Sequence, residues 1–233
     1  MVKIEVVKTS DGSDTLFLRD LNQHYHSTFG AVGESMHIFI RAGLLNFLEK
    51  RLNVKTNQAN PVRILEVGFG TGLNALLTQV EAEKLSIPIH YSAVEAYPLD
   101  EEQWAVLNYP TLAVCGEKPN IFQMIHKSGW NIPEKISDHF ILEKLQTKLE
   151  SFVPPENSYD LVYFDAFGPE AQPELWTEDI FHNLARGLIP GGMLVTYSVK
   201  GTIVRALKAA GFHTEKLPGP AGKRHILRAV KIQ

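Results

Sequence analysis

A glycine-rich loop is the first segment whose residue types could bind a ligand. Residues 65–72 read Leu-Glu-Val-Gly-Phe-Gly-Thr-Gly and lie between a predicted strand and a predicted helix. Glycines at such a junction let the backbone turn tightly and approach a ligand closely. Glu95 ends the next predicted strand, 27 positions after Gly68, and its carboxylate could bind two ribose hydroxyls. The pattern predicts a site for an adenosine-containing ligand, with a purely structural turn as the alternative.

The spacing of the glycines and the residue before them narrow the choice of ligand. Gly68, Gly70 and Gly72 follow Gly-x-Gly-x-Gly, whereas dinucleotide sites follow Gly-x-Gly-x-x-Gly. The acidic Glu66 would repel a pyrophosphate but attract the cationic amino group of a methionine moiety. The predicted ligand is therefore S-adenosylmethionine, and its predicted contacts are Glu66, Gly68, Phe69, Gly70, Gly72 and Glu95.

A second segment, Asp165-Ala-Phe-Gly-Pro169, follows the fourth predicted strand of the core. Asp165 could accept a hydrogen bond from an attacking amine and orient its lone pair, and Phe167 offers a ring on which a base could stack. An aspartate that merely caps a helix is the alternative. Ligands of open α/β sheets bind beyond the carboxyl ends of the strands. We therefore predict that Asp165 and Phe167 serve the transfer of a methyl group to an amine.

Alternating strands and helices from about residue 62 onward must position these two segments. Strands are predicted at residues 62–67, 89–95, 140–145, 159–164 and 193–199, and helices at residues 72–85, from Pro98, at 176–188 and at 202–210. The alternation predicts an α/β fold with a doubly wound, mostly parallel, Rossmann-like sheet of the class I methyltransferase type.

Two regions do not follow the alternation. Residues 2–7 and 15–19 flank Asp11-Gly12, which predicts a hairpin, and residues 34–52 predict a long helix. Residues 115–137 are predicted to be an irregular insertion or a substrate-facing loop. The predicted organisation is a single domain, with an N-terminal extension over residues 1–60 and the core over residues 61–233.

Composition limits the class of protein. The 233 residues are 44% hydrophobic, which suffices for one full core. No apolar run approaches the roughly 20 residues of a transmembrane helix, and the first ten residues lack the apolar centre of a signal peptide. The single cysteine, Cys115, cannot form an internal disulfide or a thiolate metal cluster, so it is expected to be a small core residue. A cytoplasmic protein without a metal is expected.

Charge is distributed unevenly along the chain. Residues 1–185 contain 14 Lys+Arg and 25 Asp+Glu, whereas residues 186–233 contain 9 and 1. A basic C-terminal region on an acidic protein indicates an anionic partner, although a solvated basic surface explains the charge equally well. The candidates for binding nucleic-acid phosphates are Lys200, Arg205, Lys223 and Arg224.

The motifs together resemble the family of tRNA 5-aminomethyl-2-thiouridine methyltransferases, namely the MnmC methyltransferase domain and its stand-alone MnmD-type relatives. The resemblance extends over nearly the whole chain. Its motifs are Tyr25-His-Ser27, Gly30-Ala-Val-Gly-Glu-Ser35, Glu66-Val-Gly-Phe-Gly-Thr-Gly-Leu-Asn74, Asp165-Ala-Phe-Gly-Pro169, Gln172-Pro-Glu-Leu-Trp176, Thr196-Tyr-Ser198, Lys200-Gly201 and Gly219-Pro-Ala-Gly-Lys-Arg224.

The resemblance implies S-adenosylmethionine-dependent methylation of the 5-aminomethyl group of a wobble uridine, in the anticodon stem-loop of tRNA. It implies that Asp165 is the catalytic aspartate and Glu95 the ribose ligand. Tyr25, with His26, Glu34 and Ser35, could cover the cofactor as a lid; the alternative is that Tyr25 and His26 only pack against the sheet. No oxidase activity is expected, because the chain has no second dinucleotide motif.

One position departs from the family pattern, and two other functions compete with this one. Lys148 stands where related sequences tend to carry an acidic residue near the adenine, so no adenine contact is predicted there. A spermidine synthase-like aminopropyltransferase would share the fold, but those enzymes resemble one another in a Gly-Gly-Gly-Asp-Gly loop that this chain lacks. A non-catalytic RNA-binding protein is the second competitor, and the retained Asp165 argues against it.

Overall fold

The computed structural model describes residues 4–53 and 60–232. Within them the strands are β1 (Ile4–Lys8), β2 (Asp14–Leu18), β3 (Gln23–His24), β4 (Val62–Val67), β5 (Ile89–Glu95), β6 (Pro133–Ser137), β7 (Phe140–Gln146), β8 (Tyr159–Phe164), β9 (Leu188–Thr196), β10 (Phe212–Pro218) and β11 (His225–Lys231). Strands β4 to β11 form a sheet in the order β10-β11-β9-β8-β4-β5-β7-β6, and β1 to β3 form a separate antiparallel sheet. The first predicted strand includes Val2, which lies outside the described residues.

The α-helices are α1 (Ala31–Ser35), α2 (Asn46–Asn53), α3 (Leu73–Leu85), α4 (Glu101–Trp104), α5 (Pro119–Lys127), α6 (Glu178–Gly187) and α7 (Gly201–Ala209). A π-helical segment, Met36–Leu45, joins α1 to α2 without a break. The long helix predicted over residues 34–52 is therefore confirmed, and it begins three residues earlier than expected.

The centre of the large sheet is parallel, as predicted. Strand β4 pairs in parallel with β5 and β8, β5 with β7, and β8 with β9. Every residue of β8 is buried, and alternate side chains enter two cores. Leu161 and Tyr163 join the core beneath α3 and the long helix, and Val162 and Phe164 join the core beneath α6 and α7. The predicted α/β fold, with helices on both faces of a mostly parallel sheet, is confirmed.

Two predictions between the second and third core strands were wrong. The helix expected from Pro98 begins at Glu101, because Asp100 caps it and exchanges hydrogen bonds with Gln103. Residues 115–137 are not irregular. They contain α5, which has Pro119 in its first turn, and the edge strand β6, which pairs antiparallel with β7.

Boundaries near the C-terminus also differ from the predictions. Helix α6 begins at Glu178 rather than Trp176, because the side chain of Thr177 caps it. Strand β9 begins at Leu188 rather than Met193, since a register shift against β8 lets the strand continue through the Pro-Gly-Gly sequence. Antiparallel strands β10 and β11, which the sequence analysis did not predict, complete this side of the sheet. Among the described helices, none combines the length and apolar character needed to cross a bilayer.

Candidate active site

A cavity of about 520 Å³ lies at the carboxyl ends of β4, β5, β7 and β8. Its walls are residues 68–71 of the glycine loop, 94–97 after β5, 147–150 after β7 and 165–167 after β8. Tyr25 and His26 close it from the N-terminal extension. Carboxyl ends of parallel strands are the usual ligand-binding edge of such a sheet, and the volume falls within the roughly 300–1,000 Å³ of small-molecule sites.

Two positions of the loop require glycine, because other parts of the fold approach them too closely for a side chain. Gly68 has a φ of +89°, and a Cβ there would lie 2.9 Å from the carbonyl oxygen of Asp165. Gly70 has a φ of +47°, and a Cβ there would lie 2.9 Å from Cδ1 of Tyr25. A side chain at either position would push apart the walls of the cavity, so glycine keeps the loop in place.

The other two loop residues predicted to touch the ligand are placed differently. Phe69 borders the cavity, but its ring is buried and lies edge-on to His126 and Trp130, with centroid distances of 5.5 Å and 6.1 Å. Gly72 precedes α3 and does not line the cavity; a Cβ there would lie 2.8 Å from Nε2 of His126. These two residues anchor the loop to the aromatic core behind it.

Glu95 lies where the sequence analysis predicted a ribose ligand. It ends β5 and lines the cavity. Its Oε2 accepts a hydrogen bond of 3.0 Å from the backbone of Gly70, and its Oε1 accepts one of 2.9 Å from the backbone of Tyr97. Each carboxylate oxygen can accept a further hydrogen bond, so ligand hydroxyls could still bind there.

Glu66 lies behind the cavity rather than in its wall. Its side chain is fully buried, and its Oε1 accepts a hydrogen bond of 2.9 Å from Nδ2 of Asn74. Burial raises the pKa of Glu66 well above its ordinary value, and the negative charge of Asp165 raises it further. Glu66 is therefore placed behind the cavity wall rather than in it, where its carboxyl group supports Asn74.

Asp165 follows β8 directly and lines the cavity. Its Oδ2 accepts a hydrogen bond of 2.8 Å from Nδ2 of Asn74. Burial raises the pKa of Asp165 well above its ordinary value, the charge of Glu34 adds to this rise, and the Asn74 hydrogen bond and the charge of Lys223 oppose it. A carboxylate with a raised pKa takes up a proton more readily than an exposed one, which suits a group that assists an amine.

The segment after Asp165 is held by aromatic side chains. Tyr25 meets Phe167 edge-on at a centroid distance of 5.1 Å, so the structure brings together two predicted site residues. Nε1 of Trp176 donates a hydrogen bond of 2.8 Å to the carbonyl of Phe167. The hydroxyl of Tyr197 donates one of 2.9 Å to the carbonyl of Ala166. These contacts fix the cavity wall that contains Asp165.

Comparison with known proteins relates part of the chain to a family. Residues 133–232 match the model of a family described as S-adenosyl-L-methionine-dependent methyltransferase. This match assigns the C-terminal part of the chain, from β6 to β11, to a methyltransferase family. The matched region includes β8 and Asp165, and the cavity contains the glycine loop and the carboxylate after β5 that an adenosine ligand requires.

Individual relatives agree with this assignment. The tRNA 5-methylaminomethyl-2-thiouridine biosynthesis bifunctional protein MnmC of Aromatoleum aromaticum is 32% identical over 216 residues, covering 88% of this chain and 32% of the relative. The structure of MnmC2 from Aquifex aeolicus is 24% identical, with a TM-score of 0.74 over 98% of this chain and 70% of that one. Spermidine synthase from Thermotoga maritima is 16% identical, with a TM-score of 0.59 over 99% and 70%. Both structures show the fold. The chain spans about a third of the length of the curated relatives it matches.

The cavity fits S-adenosylmethionine. Gly68 and Gly70 line it, with no side chain to reduce its space, and the Glu95 carboxylate beside them is placed for the ribose hydroxyls. Lys148, which departs from the family pattern, lines the same cavity as Glu150, two residues later. When bound, the cofactor supplies an electrophilic methyl group.

Residues of the N-terminal extension cover one side of the cavity. His26 is buried, and its Nε2 lies 2.7 Å from the hydroxyl of Thr71 in the glycine loop. Burial lowers the pKa of His26 to about 4, so the ring is neutral near pH 7. Glu34 and Ser35, also proposed as lid residues, are buried in the same region but do not line the cavity.

The four residues predicted to bind phosphates have different surroundings. Arg205 and Arg224 are exposed. Lys200 is exposed and forms an ion pair with Glu170. Lys223 is only partly exposed and forms an ion pair with the buried Glu34, at 2.8 Å between Nζ and Oε1. The structure therefore separates Lys223 from the other three, because its charge is already paired inside the protein.

The sequence analysis missed Asn74 as a functional residue. Asn74 is 2% exposed and bridges Glu66 and Asp165. Its signal in the sequence was an amide in the first turn of a helix whose neighbours are apolar, directly after the glycine loop. A buried amide needs hydrogen-bond partners, and in this fold its partners are the acidic side chains of Glu66 and Asp165.

Proposed function

We propose that this chain methylates the 5-aminomethyl group of a wobble uridine in tRNA. The observation that carries the proposal is Asp165, a carboxylate of raised pKa at the carboxyl end of β8, in the wall of the cofactor cavity. The name of the MnmC relatives connects a chain of this kind to 5-methylaminomethyl-2-thiouridine. A carboxylate beside the cofactor is suited to an amine acceptor, because it can accept the amine's hydrogen bond and then its proton.

The chain's own contribution to the reaction is to orient and deprotonate the acceptor. Asn74 holds Oδ2 of Asp165, which leaves Oδ1 to accept a hydrogen bond from the amine nitrogen. This bond directs the nitrogen lone pair toward the methyl group. The cofactor, when bound, would supply the methyl group that this nitrogen takes up, and its sulfur would leave as a neutral thioether. The amine's proton passes to the Asp165 carboxylate and from there to solvent, which balances the charge.

The acceptor base would have to leave its stack to reach Asp165. Phe167 and Tyr25 present aromatic surfaces in the wall of the cavity, where an unstacked uracil could pack. Lys200, Arg205 and Arg224 are exposed cations that could contact the phosphates of an anticodon stem-loop. Such a substrate is modified in the cytoplasm, where we place the protein.

Methyl transfer from labelled S-adenosylmethionine tests the proposal directly. The substrates are tRNA that carries the aminomethyl uridine, with and without the 2-thio group, the same tRNA lacking the aminomethyl group, and putrescine. Label confined to the aminomethyl tRNAs is the expected result. Label absent from every tRNA, while the protein still binds S-adenosylhomocysteine, would reject the proposed substrate but not the family.

A separate incubation distinguishes the proposed activity from that of an aminopropyltransferase. That enzyme would add an aminopropyl group from decarboxylated S-adenosylmethionine to the diamine. A second incubation therefore supplies that donor with putrescine. Formation of spermidine would establish the alternative function.

A further inference from the structure

Glu34 and Lys223 form a buried ion pair that the transfer chemistry described above does not use. Glu34 is 9% exposed, and its Oε2 accepts a hydrogen bond of 2.9 Å from the backbone of Ser27. Its Oε1 lies 2.8 Å from Nζ of Lys223. The same ammonium group lies 5.1 Å from the centre of the Tyr197 ring. One primary ammonium thus sits between a buried carboxylate and an aromatic face.

This group of side chains lies beside Asp165 but outside the cofactor cavity. Glu34 belongs to α1, Tyr197 follows β9, and Lys223 lies in the turn between β10 and β11. Asp165 is within electrostatic reach of both Glu34 and Lys223, since the first raises its pKa and the second lowers it. None of the three residues lines the cavity, whereas Asp165 does. The hydroxyl of Tyr197 donates a hydrogen bond of 2.9 Å to the carbonyl of Ala166, the residue after Asp165. The ammonium-binding group therefore lies directly beside the cavity wall that contains Asp165.

In-line methyl transfer requires the acceptor to approach from the side opposite the leaving sulfur. An acceptor that reaches Asp165 also comes close to Tyr197, whose hydroxyl bonds to the carbonyl of the next residue, Ala166, and through Lys223 to Glu34. A carboxylate together with an aromatic face is the standard recognition set for an alkylammonium group. The acceptor in the proposed function is a primary alkylamine, which near neutral pH is an ammonium ion like the end of a lysine side chain. It would bind as the ammonium and pass one proton to Asp165, so that its nitrogen has a free lone pair for the transfer, and the methylated product would leave as an ammonium.

We propose that Glu34 and Tyr197 form a binding subsite for the acceptor's primary ammonium group, and that Lys223 occupies this subsite until the acceptor displaces it. The inference rests on the proposed function for the identity of the acceptor. Exchange of one ammonium for another keeps the buried Glu34 paired, whereas leaving it unpaired would be costly. The exchange requires the Lys223 side chain to swing out into solvent. That side chain is already 27% exposed, so it has an open path.

The subsite would also discriminate between uridines that carry different substituents. An aminomethyl group presents a cation to Glu34 and Asp165. A carboxymethylaminomethyl group adds a carboxylate, which the same two acidic side chains would repel.

Binding of ethylammonium to the variant Lys223→Met tests the subsite without any methyl transfer. The variant is titrated with ethylammonium chloride, against sodium chloride at equal ionic strength, and its melting temperature is followed. We expect ethylammonium to bind Lys223→Met about tenfold or more tighter than it binds the wild type, because the resident ammonium is gone. Lys84→Met is the matched control, since Lys84 also pairs with a glutamate that is about one-tenth exposed, Glu81, but has no aromatic face beside it among the described contacts.

The double variant Glu34→Gln/Lys223→Met removes the carboxylate and should lose the ethylammonium response. Equal responses of Lys223→Met and Lys84→Met would overturn the proposal, as would a response that persists in the double variant. Should Lys223→Met not fold, Glu34→Gln alone should raise KM for aminomethyl tRNA and leave the dissociation constant of S-adenosylhomocysteine unchanged. An unchanged KM would then reject the subsite. If the ammonium binds but no tRNA is methylated, the proposed substrate fails while the subsite stands.

Discussion

Nδ2 of Asn74 donates a hydrogen bond of 2.8 Å to Oδ2 of Asp165. The same nitrogen donates a bond of 2.9 Å to Oε1 of Glu66, so both amide hydrogens are used. Asn74 lies in the first turn of α3, directly after the glycine loop. One side chain therefore connects the loop that would hold the cofactor to the carboxylate that would assist the acceptor.

Replacing Asn74 with Ala should slow methyl transfer and leave cofactor binding nearly intact. Loss of a hydrogen bond to a charged group costs about 1.5–3 kcal/mol, which corresponds to a fall in kcat of roughly 10- to 100-fold. The measurement is single-turnover methyl transfer together with calorimetric binding of S-adenosylhomocysteine. Gln79→Ala is the control, because Gln79 is a buried amide on the same helix whose partner, Ser137, lies away from the site. Equal effects of the two variants would contradict the positioning role.

Replacing Asp165 with Asn keeps its shape and removes the proton acceptor. We expect kcat to fall by about 10²- to 10⁴-fold, the usual range for loss of a general base, with cofactor affinity changed much less. Asp165→Ala should behave alike. In the wild type, kcat/KM should decline as the pH falls through the raised pKa of Asp165, because the protonated acid cannot accept the amine's proton. If kcat/KM still declines at low pH in Asp165→Asn, a group other than Asp165 causes the decline.

Much of this arrangement could be predicted from local sequence. The central strands are apolar runs flanked by glycine or proline, and the positions of Glu95 and Asp165 followed from the ends of those strands. In contrast, the full burial of Glu66 could not be predicted, because a strand's period of two decides only which face of the sheet a residue takes and not how deep it lies. A carboxylate one residue before the last in a central strand is buried beneath the loop that follows it.

Other features could not be predicted because they depend on contacts between distant segments. Lys223 lies in a turn rich in glycine and proline and resembles a surface lysine, yet it pairs with Glu34 from the other end of the chain. Similarly, Lys144 is buried in β7, where its Nζ donates a hydrogen bond of 2.6 Å to the carbonyl of His126. The sequence around each lysine does not indicate that it has a partner, because the partner comes close only when the complete sheet has formed.

Replacing Gly70 with Ala should weaken cofactor binding through the ring of Tyr25. The new Cβ would lie 2.9 Å from Cδ1 of Tyr25, in addition to the cost of about 1 kcal/mol for a non-glycine residue at positive φ. Gly191→Ala is the matched control, because Gly191 also has a positive φ and has no atom within 4 Å of the Cβ position. Binding of S-adenosylhomocysteine and unfolding in urea are measured for both.

The Gly70→Ala variant should lose more stability than Gly191→Ala and should also lose ligand affinity. Adding Tyr25→Ala to Gly70→Ala should recover the steric part of the stability loss. Identical losses in the two glycine variants would show that φ alone matters and that Tyr25 does not press on the loop.

Stability should decrease in mild acid because of two buried histidines. Burial lowers the pKa of His26 to about 4 and that of His126 to about 3, whereas unfolded histidine titrates near 6.5. Between these values the unfolded chain binds more protons than the folded one, so the free energy of unfolding falls as the pH falls. Each histidine contributes up to about 1.4 kcal/mol per pH unit in this window.

Urea denaturation at several pH values between 7 and 4.5 checks this expectation. His126→Phe keeps an aromatic ring against Trp104 and should reduce the slope of stability against pH. His213→Phe, a change at an exposed histidine, should leave the slope unchanged. A slope that is the same in all three proteins would mean that carboxylates, not His126, govern the acid transition.

The salt dependence of tRNA binding should distinguish the exposed cations at the site edge from those elsewhere. Arg224 is exposed in the turn between β10 and β11, near Lys223 and the site. Arg186 is exposed near the end of α6, at the amino ends of the parallel strands and so away from the site. Its carbonyl accepts a hydrogen bond from the backbone of Asn157, just before β8.

If Arg224 contacts a phosphate, Arg224→Ala should reduce the slope of log K against log salt by about 0.7–0.9, because one fewer counterion is released. Arg186→Ala should leave the slope unchanged, and Lys200→Ala should have a smaller effect than Arg224→Ala, since Lys200 is already paired with Glu170. Titrations of fluorescent anticodon stem-loop between 50 and about 200 mM salt measure all three slopes. Equal slopes for Arg224→Ala and the wild type would place the RNA on a different surface.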